Sequence, residues 1–106
     1  MTWKQILGNA LEQLEAHTGV PCVFSEPSTS DTAGTLTFKY DGRAQKTHLI
    51  VRRVVHPVQL ADILSLKERF THLLVVAEHI QPKVKGELRL AGVAYMDSVG
   101  DLYYRG

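Results

Sequence analysis

The sequence predicts a single α/β domain, residues 1–106, in which a mixed sheet is flanked by helices. Three observations support this class: an apolar helical pattern at the start, a strand–turn–strand pattern in the middle, and a continuous aliphatic run after a second helical segment. Such a run after a helix is typical of a buried parallel strand. With 106 residues, 44% of them hydrophobic, the chain is long enough to bury a core without disulfides or metal.

The first element is an amphipathic helix. Its apolar residues recur at the i, i+3, i+4, i+7 spacing that places side chains on one helical face, namely Trp3, Ile6, Leu7, Ala10, Leu11 and Leu14. A short apolar run, Cys22 to Phe24, then predicts a strand. The following stretch, Glu26 to Gly34, is rich in Ser, Thr, Pro, Asp and Gly and predicts an exposed loop.

A β-hairpin is the clearest local prediction. Leu36, Phe38 and Tyr40 alternate with polar residues, and Asp41-Gly42 supplies a tight turn. We expect the partner strand to run from His48 to Val55. Its centre is apolar without alternation, which predicts cover on both faces of the sheet.

The second half of the chain predicts a helix, a strand, a helix and a hairpin. Pro57 opens a helix with an apolar face of Leu60, Ile63, Leu64 and Phe70, and Leu73 to Ala77 is the central strand. Pro82 and Gly92 bracket a short helix, and strands at Val93 to Met96 and Leu102 to Tyr104 follow. The predicted order is therefore αβββαβαββ, and the residues expected to be most buried are Leu49, Val51, Leu74 and Val76.

Composition excludes several classes of protein. No apolar run is long enough for a membrane span, and the single cysteine, Cys22, favours a reducing cytoplasm. The net charge is only +1, so any nucleic-acid binding has to come from a local basic patch. The five histidines lack the paired spacing of a zinc site, and we predict no metal and no cofactor.

The order αβββαβ resembles the restriction-endonuclease-like, PD-(D/E)xK fold. The segment LLVVAEHIQPKVKGELRLAGVAYMDSVGDLYYR is similar to an aliphatic strand, short helix and giaYldaaGNiy hairpin of a bacterial family related to abortive-infection type IV antitoxins. The matching residues are Leu74 to Ala77, Pro82, Lys85, Leu88, Arg89, Gly92, Tyr95, Asp97, Gly100 and Tyr103. The segment from Asn9 to Val20 also resembles the start of that family's nuclease-like domain.

The resemblance implies a place for a nuclease site, and this sequence departs from it. Active members of the fold hold a divalent metal with an Asp near the first hairpin strand and a Glu-x-Lys on the second. Here Ile50-Val51-Arg52 stands at the Glu-x-Lys position, and the acid nearest the start of the first strand is Asp31, in the preceding loop. Isoleucine cannot ligate a metal, and arginine cannot act as a general base. We therefore predict no catalytic residues and no enzyme activity; an enzyme with a displaced metal site is the third alternative.

Two basic groups are candidates for nucleic-acid contact. Arg52 and Arg53 lie near the end of the second hairpin strand, and Lys83, Lys85 and Arg89 lie on or near one face of the third helix. One interpretation is a solvated surface balanced by Glu78 and Glu87. The other is a surface that contacts phosphates.

The end of the sequence predicts a protein interface. Leu102, Tyr103 and Tyr104 form a short terminal strand whose outer edge needs a partner, which favours a homodimer. Relatives implied by the resemblance continue into a winged-helix module, so we expect a truncated or free-standing version, with a toxin as a further possible partner. The function expected is that of an inactive nuclease-like domain in a bacterial antitoxin-like or regulator protein, acting in weak, non-specific DNA association or in assembly. The alternative is a protein-interaction or dimerisation module without nucleic acid.

Overall fold

A computed structural model of the chain describes residues 3–18, 23–25, 34–40, 42–70, 72–98 and 101–104. It confirms the α/β class with a mixed sheet flanked by helices. The elements are α1 (Trp3–Thr18), β1 (Val23–Ser25), β2 (Gly34–Tyr40), β3 (Arg43–Val55), α2 (Leu60–Arg69), β4 (Leu73–Ile80), α3 (Pro82–Ala91), β5 (Ala94–Met96) and β6 (Leu102–Tyr103).

The described strands form one six-stranded sheet in the order β1-β2-β3-β4-β5-β6. Strand β2 is antiparallel to both β1 and β3, and β6 is antiparallel to β5. The three central strands, β3, β4 and β5, run parallel to one another and are connected through α2 and α3. The carboxyl ends of these parallel strands therefore meet at one edge of the sheet, which we call the carboxyl edge.

Helix α1 covers one face of the sheet. Four of its predicted face residues, Ile6, Leu7, Ala10 and Leu14, are buried against alternate residues of β2 to β5. The side chain of Trp3 lies outside the described part. The apolar spacing correctly predicted the buried face of α1, because a helix that packs on a sheet buries one stripe of its surface.

Helices α2 and α3 cover the other face. Ile63 of α2 and Val84 and Leu88 of α3 are buried against the alternate side chains of β3, β4 and β5. Leu90 lies two positions beyond Leu88 on the helix and is 85% exposed, because that spacing turns a side chain to the opposite face. The sheet is therefore the middle layer of three.

The predicted centre of the core is confirmed. Leu49 and Leu74 are fully buried, and Val76 and Val51 are 1% and 7% exposed. These four side chains belong to the cluster beneath α1. In the part of the chain that is described, no helix is long and apolar enough to cross a membrane.

Several predicted boundaries need correction. Strand β1 extends to Ser25, one residue beyond the predicted Phe24, while the predicted first residue, Cys22, lies outside the described residues. Strand β3 begins at Arg43 and not at His48, because the turn at Gly42, with a φ of 76°, pairs Arg43 directly with Tyr40. Pro57 opens a single 3-10 turn, Pro57–Gln59, before α2 begins. The central strand also continues beyond Ala77, as far as Ile80.

Candidate nucleic-acid interface

Three of the five predicted basic residues lie exposed at the carboxyl edge. Arg52 and Arg53 are near the end of β3, where Arg52 is in register with Ala77 of β4. Lys83 lies in the first turn of α3, which begins directly after β4. Because β3 and β4 are parallel neighbours, their carboxyl ends bring these cations to the same edge.

These three cations remain accessible. Nη1 of Arg52 donates a hydrogen bond to the carbonyl of Val51 at 2.9 Å, which leaves the rest of its guanidinium toward solvent. Within the described ranges, neither Arg53 nor Lys83 has an ion-pair partner. Glu78 of β4 is only half-buried and lies on the strand beside Arg53, so the edge is mixed in charge but predominantly basic.

Lys85 does not belong to this exposed group, which corrects the sequence-based grouping. Its Nζ lies 2.6 Å from Oδ2 of Asp97 and 2.7 Å from Oδ2 of Asp101. Partial burial lowers the pKa of Lys85, but hydrogen bonds and charge from Asp101 and Asp97 outweigh that effect, so the pKa is raised. The lysine is held as a cation between two carboxylates and is not available to a phosphate.

The acidic partners of Lys85 hold the connection between β5 and β6. Asp97 is 3% exposed, and its Oδ1 accepts a hydrogen bond from the backbone N–H of Asp101 at 3.0 Å. Ser98 donates from Oγ to the carbonyl of Glu78 at 2.6 Å, which ties the same connection to β4. We call Lys85, Asp97 and Asp101 the turn clamp. Its geometry is that of a structural element.

The turn clamp yields a stability prediction. Asp97→Asn removes the charge that Lys85 contacts within a buried site, and we expect the free energy of unfolding to fall by about 1.5 to 3 kcal/mol. Urea denaturation measures this loss. Glu87→Gln, an exposed change on α3, is the control and should stay within about 0.5 kcal/mol of the wild type. Equal stabilities of the two variants would contradict a structural role for Asp97.

Arg89 is exposed, and its guanidinium also makes contacts within the chain. It donates a hydrogen bond to the hydroxyl of Tyr95, which is 1% exposed, and its guanidinium carbon lies 6.0 Å from the centre of that ring. Tyr103 of β6 stacks on Tyr95 with ring centres 5.6 Å apart. The face of α3 that carries Lys85 and Arg89 is therefore directed at β5 and β6, and the five basic residues do not form one surface.

The predicted interface residues have packing partners within the chain. Leu102 and Tyr104 pack on the core beneath α1, and Tyr103 packs on the other face of the sheet. The ring of Tyr104 lies 5.2 Å from that of Phe38, and its hydroxyl donates to Oε1 of Gln45 at 2.9 Å. All three side chains are half-buried. Within the described residues, the edge strands β1 and β6 have three and two residues, and short edge strands limit pairing with another sheet.

Core packing fills the position where the family resemblance would place a Glu-x-Lys motif. Gly34 at the start of β2 is in register with Leu49, and the neighbouring Ile50 is 1% exposed in the core beneath α2 and α3. Arg52 is exposed two residues further on. Asp31 lies outside the described residues. Within the described residues, no three His, Cys, Asp or Glu side chains are grouped so that they could hold a metal.

A second basic surface was not predicted. The first half of β3 carries Lys46 and His48, and the His48 ring lies 4.6 Å from that of Phe70. Burial, followed by the positive charges of Lys46 and His72, lowers the pKa of His48. The sequence signal available for this surface was the alternation of polar and apolar residues in β2. Because β3 pairs with β2, polar residues of β3 lie on the same face of the sheet as the polar residues of β2.

Comparisons of the chain with protein families, with curated proteins and with solved structures gave no match. The function of these surfaces is therefore inferred from their residues and geometry.

Proposed function

We propose that the protein is a catalytically inactive, restriction-endonuclease-like domain that contacts the DNA backbone through Arg52, Arg53 and Lys83. The observation that carries the proposal is the placement of three exposed cations at the carboxyl edge, two on β3 and one on α3, the helix that follows the neighbouring strand β4. Arginine and lysine at a shared edge are the residue types that contact phosphates. The resemblance to the antitoxin-related family and the single Cys22 agree with a bacterial, cytoplasmic protein.

The absence of catalysis is proposed from the chemistry of two residues. Ile50 offers no oxygen ligand to a metal, and its side chain is buried. Arg52 adds a fixed positive charge at the place where a divalent cation would bind, and that charge repels a metal ion. A domain with this pair can retain contact with DNA while having lost the hydrolytic step.

The binding proposed is weak and independent of base sequence. Three cations neutralise about three phosphates, so the carboxyl edge contributes about −2 to −3 to the slope of log affinity against log salt. The chain has a net charge of only +1, which gives no long-range attraction to support tighter binding. The affinity expected at physiological salt is that of non-specific binders, with a Kd of about 10⁻⁴ to 10⁻⁶ M.

Fluorescence anisotropy with a labelled short duplex of mixed sequence, titrated over a range of salt concentrations, tests the proposal. Arg53→Gln with Lys83→Gln should flatten the salt slope by about 2 units, because two phosphate contacts are lost. Lys4→Gln, on α1 at the opposite face of the sheet, is a charge control and should leave the slope unchanged. On a gel, DNA incubated with the protein and Mg²⁺ should remain uncut.

The second candidate is a protein-interaction or dimerisation module. It is favoured by the half-exposed residues 102–104 and by the two ion pairs of Lys85, which leave one cation fewer for DNA. The two candidates differ in the titration at low salt. A folded protein that binds no DNA there and forms a dimer in light scattering would replace the first candidate with the second.

A further inference from the structure

On the face of the sheet that carries α2 and α3, the described helices leave one part open, formed by β1, β2 and the first half of β3. Strand β3 places Ile50 beneath α2 and α3, and residues an even number of positions away point to that same side. The register carries this side across β2 and β1. The residues of this open hairpin face are Val23, Ser25, Thr35, Thr37, Lys39, Ala44, Lys46 and His48.

The exposure of most of these side chains shows that none of the three described helices covers them. Val23 is 62% exposed, and Ser25, Lys39, Ala44 and Lys46 are also exposed. The apolar cluster beneath α2 and α3 is built on the later part of β3 together with β4 and β5. The opposite face of the hairpin is closed, because Leu36 and Phe38 are buried against α1. The open hairpin face is therefore a surface three strands wide.

The charge of the open hairpin face has a single sign. Lys46 is in register with Thr37, and Lys39 with Ala44, so the two lysines are diagonal neighbours with Cα atoms about 7 to 8 Å apart. No described residue of β1, β2 or β3 is acidic. His48 continues the row on β3, and the exposed His72 lies next to it, since the backbone N–H of His48 donates to the carbonyl of His72 at 2.7 Å.

The positive row also affects the histidine at its end. After burial, the charges of Lys46 and His72 are the causes that lower the pKa of His48. Arg69 at the end of α2 adds another positive charge beside this group, with its guanidinium carbon 5.3 Å from the centre of the Phe70 ring. Several basic side chains therefore lie near this end of the face, and an anion placed among them is attracted by their charges.

The charge and the hydrogen-bonding groups of the open hairpin face indicate what kind of ligand it binds. A second copy placed face to face would bring lysine rows together, so a symmetric dimer through this face is disfavoured. The hydroxyls of Ser25, Thr35 and Thr37 are of the type that donates hydrogen bonds to phosphate oxygens. The eight residues of the face include no Phe, Tyr or Trp on which unpaired bases could stack, which favours a duplex over a single strand.

We propose that the open hairpin face is a second nucleic-acid surface, separate from the carboxyl edge, on which Lys39 and Lys46 contact the phosphate backbone of a duplex. The inference goes beyond the proposed function because it uses different residues at the other end of β3. A domain with two such surfaces can contact two stretches of backbone, or one duplex bent or extended across the side of the sheet that carries α2 and α3.

The test compares two double variants that change the net charge equally. Lys39→Gln with Lys46→Gln should flatten the salt slope for a short mixed-sequence duplex by about 2 units, since two phosphate contacts are removed. Arg53→Gln with Lys83→Gln makes the same charge change at the carboxyl edge. Lys39→Arg with Lys46→Arg keeps both charges and should bind as the wild type does. Circular dichroism verifies that each variant is folded.

The outcomes of this test show which of the two proposed surfaces, if either, contacts DNA. Wild-type binding by the Lys39/Lys46 glutamine variant, with loss in the Arg53/Lys83 variant, overturns the second surface and leaves the proposed function intact. Loss of binding in the Lys39/Lys46 glutamine variant, with wild-type binding by the Arg53/Lys83 variant, supports the open hairpin face as a DNA contact. It overturns the carboxyl edge as a DNA contact. Absence of wild-type binding at low salt overturns both. Tighter binding to a single strand of the same sequence, or equally tight binding to polyglutamate, overturns a duplex backbone as the occupant of the open hairpin face.

Discussion

Leu74→Ala is expected to lower the free energy of unfolding by about 2 to 5 kcal/mol. Leu74 is fully buried in the middle of β4, with Leu49 of β3 on one side and Ala94 of β5 on the other. It belongs to the core cluster beneath α1, so truncation removes apolar contacts on several sides. Neighbouring strands are fixed by their hydrogen bonds, which limits how far the cavity can collapse.

Denaturation in urea measures this loss, and the chain offers a matched control. Leu90→Ala is the same substitution at a leucine that is 85% exposed on α3, and it should change the free energy of unfolding by no more than about 0.5 kcal/mol. A Leu74→Ala variant as stable as the Leu90→Ala variant would mean that β4 is not the central strand of the sheet.

The core was predictable because the spacing of apolar residues within one element indicates which of its side chains are buried. The spacing of Ile6, Leu7, Ala10 and Leu14 predicted the buried face of α1, and the aliphatic run after α2 predicted β4. Each pattern lies within one element, so no knowledge of distant residues is needed. This explains why the α/β class and the four central core residues were both predictable.

The first half of β3 was not predictable in the same way. Residues 43–47 read Arg-Ala-Gln-Lys-Thr and have no apolar alternation, because one side of this segment is open and the other carries Gln45 and Thr47. Thr47 is fully buried, and its hydroxyl donates to the carbonyl of Leu36 at 3.0 Å. Pairing across the turn, not hydrophobicity, specifies this half of the strand. The lysine row on its open side was missed for the same reason.

The basic group of α3 illustrates a different limit. Helical spacing placed Lys85 and Arg89 on one face, as the structure also has them. Spacing does not specify what that face meets, and its partners Asp97 and Asp101 lie twelve and sixteen residues from Lys85. Only the parallel crossover from β4 through α3 to β5 brings these charges together. A charge pattern therefore indicates a surface but does not indicate whether it is free.

Gly34→Ala is expected to destabilise the protein severely. Gly34 begins β2 with a φ of 138°, a conformation that residues with a Cβ rarely adopt. A Cβ at this position would contact the carbonyl oxygen of Ser25 and lie 2.8 Å from Cε1 of Phe24. Backbone strain costs about 1 to 3 kcal/mol. Overpacking adds about 1 to 3 kcal/mol, since β1 has to move away from β2.

The expected measurement is a loss of about 2 to 6 kcal/mol in the free energy of unfolding, taken as the sum of strain and overpacking. Gly8→Ala is the matched control: Gly8 lies in α1, and a Cβ there would meet no atom within 4 Å. That variant should be more stable than the wild type by about 0.5 to 1 kcal/mol, because alanine is the better helix former. If both alanine variants gain stability, β1 does not pack against the start of β2. The open hairpin face would then lose its third strand, and Ser25 would no longer share a surface with Thr35, Lys46 and Lys39.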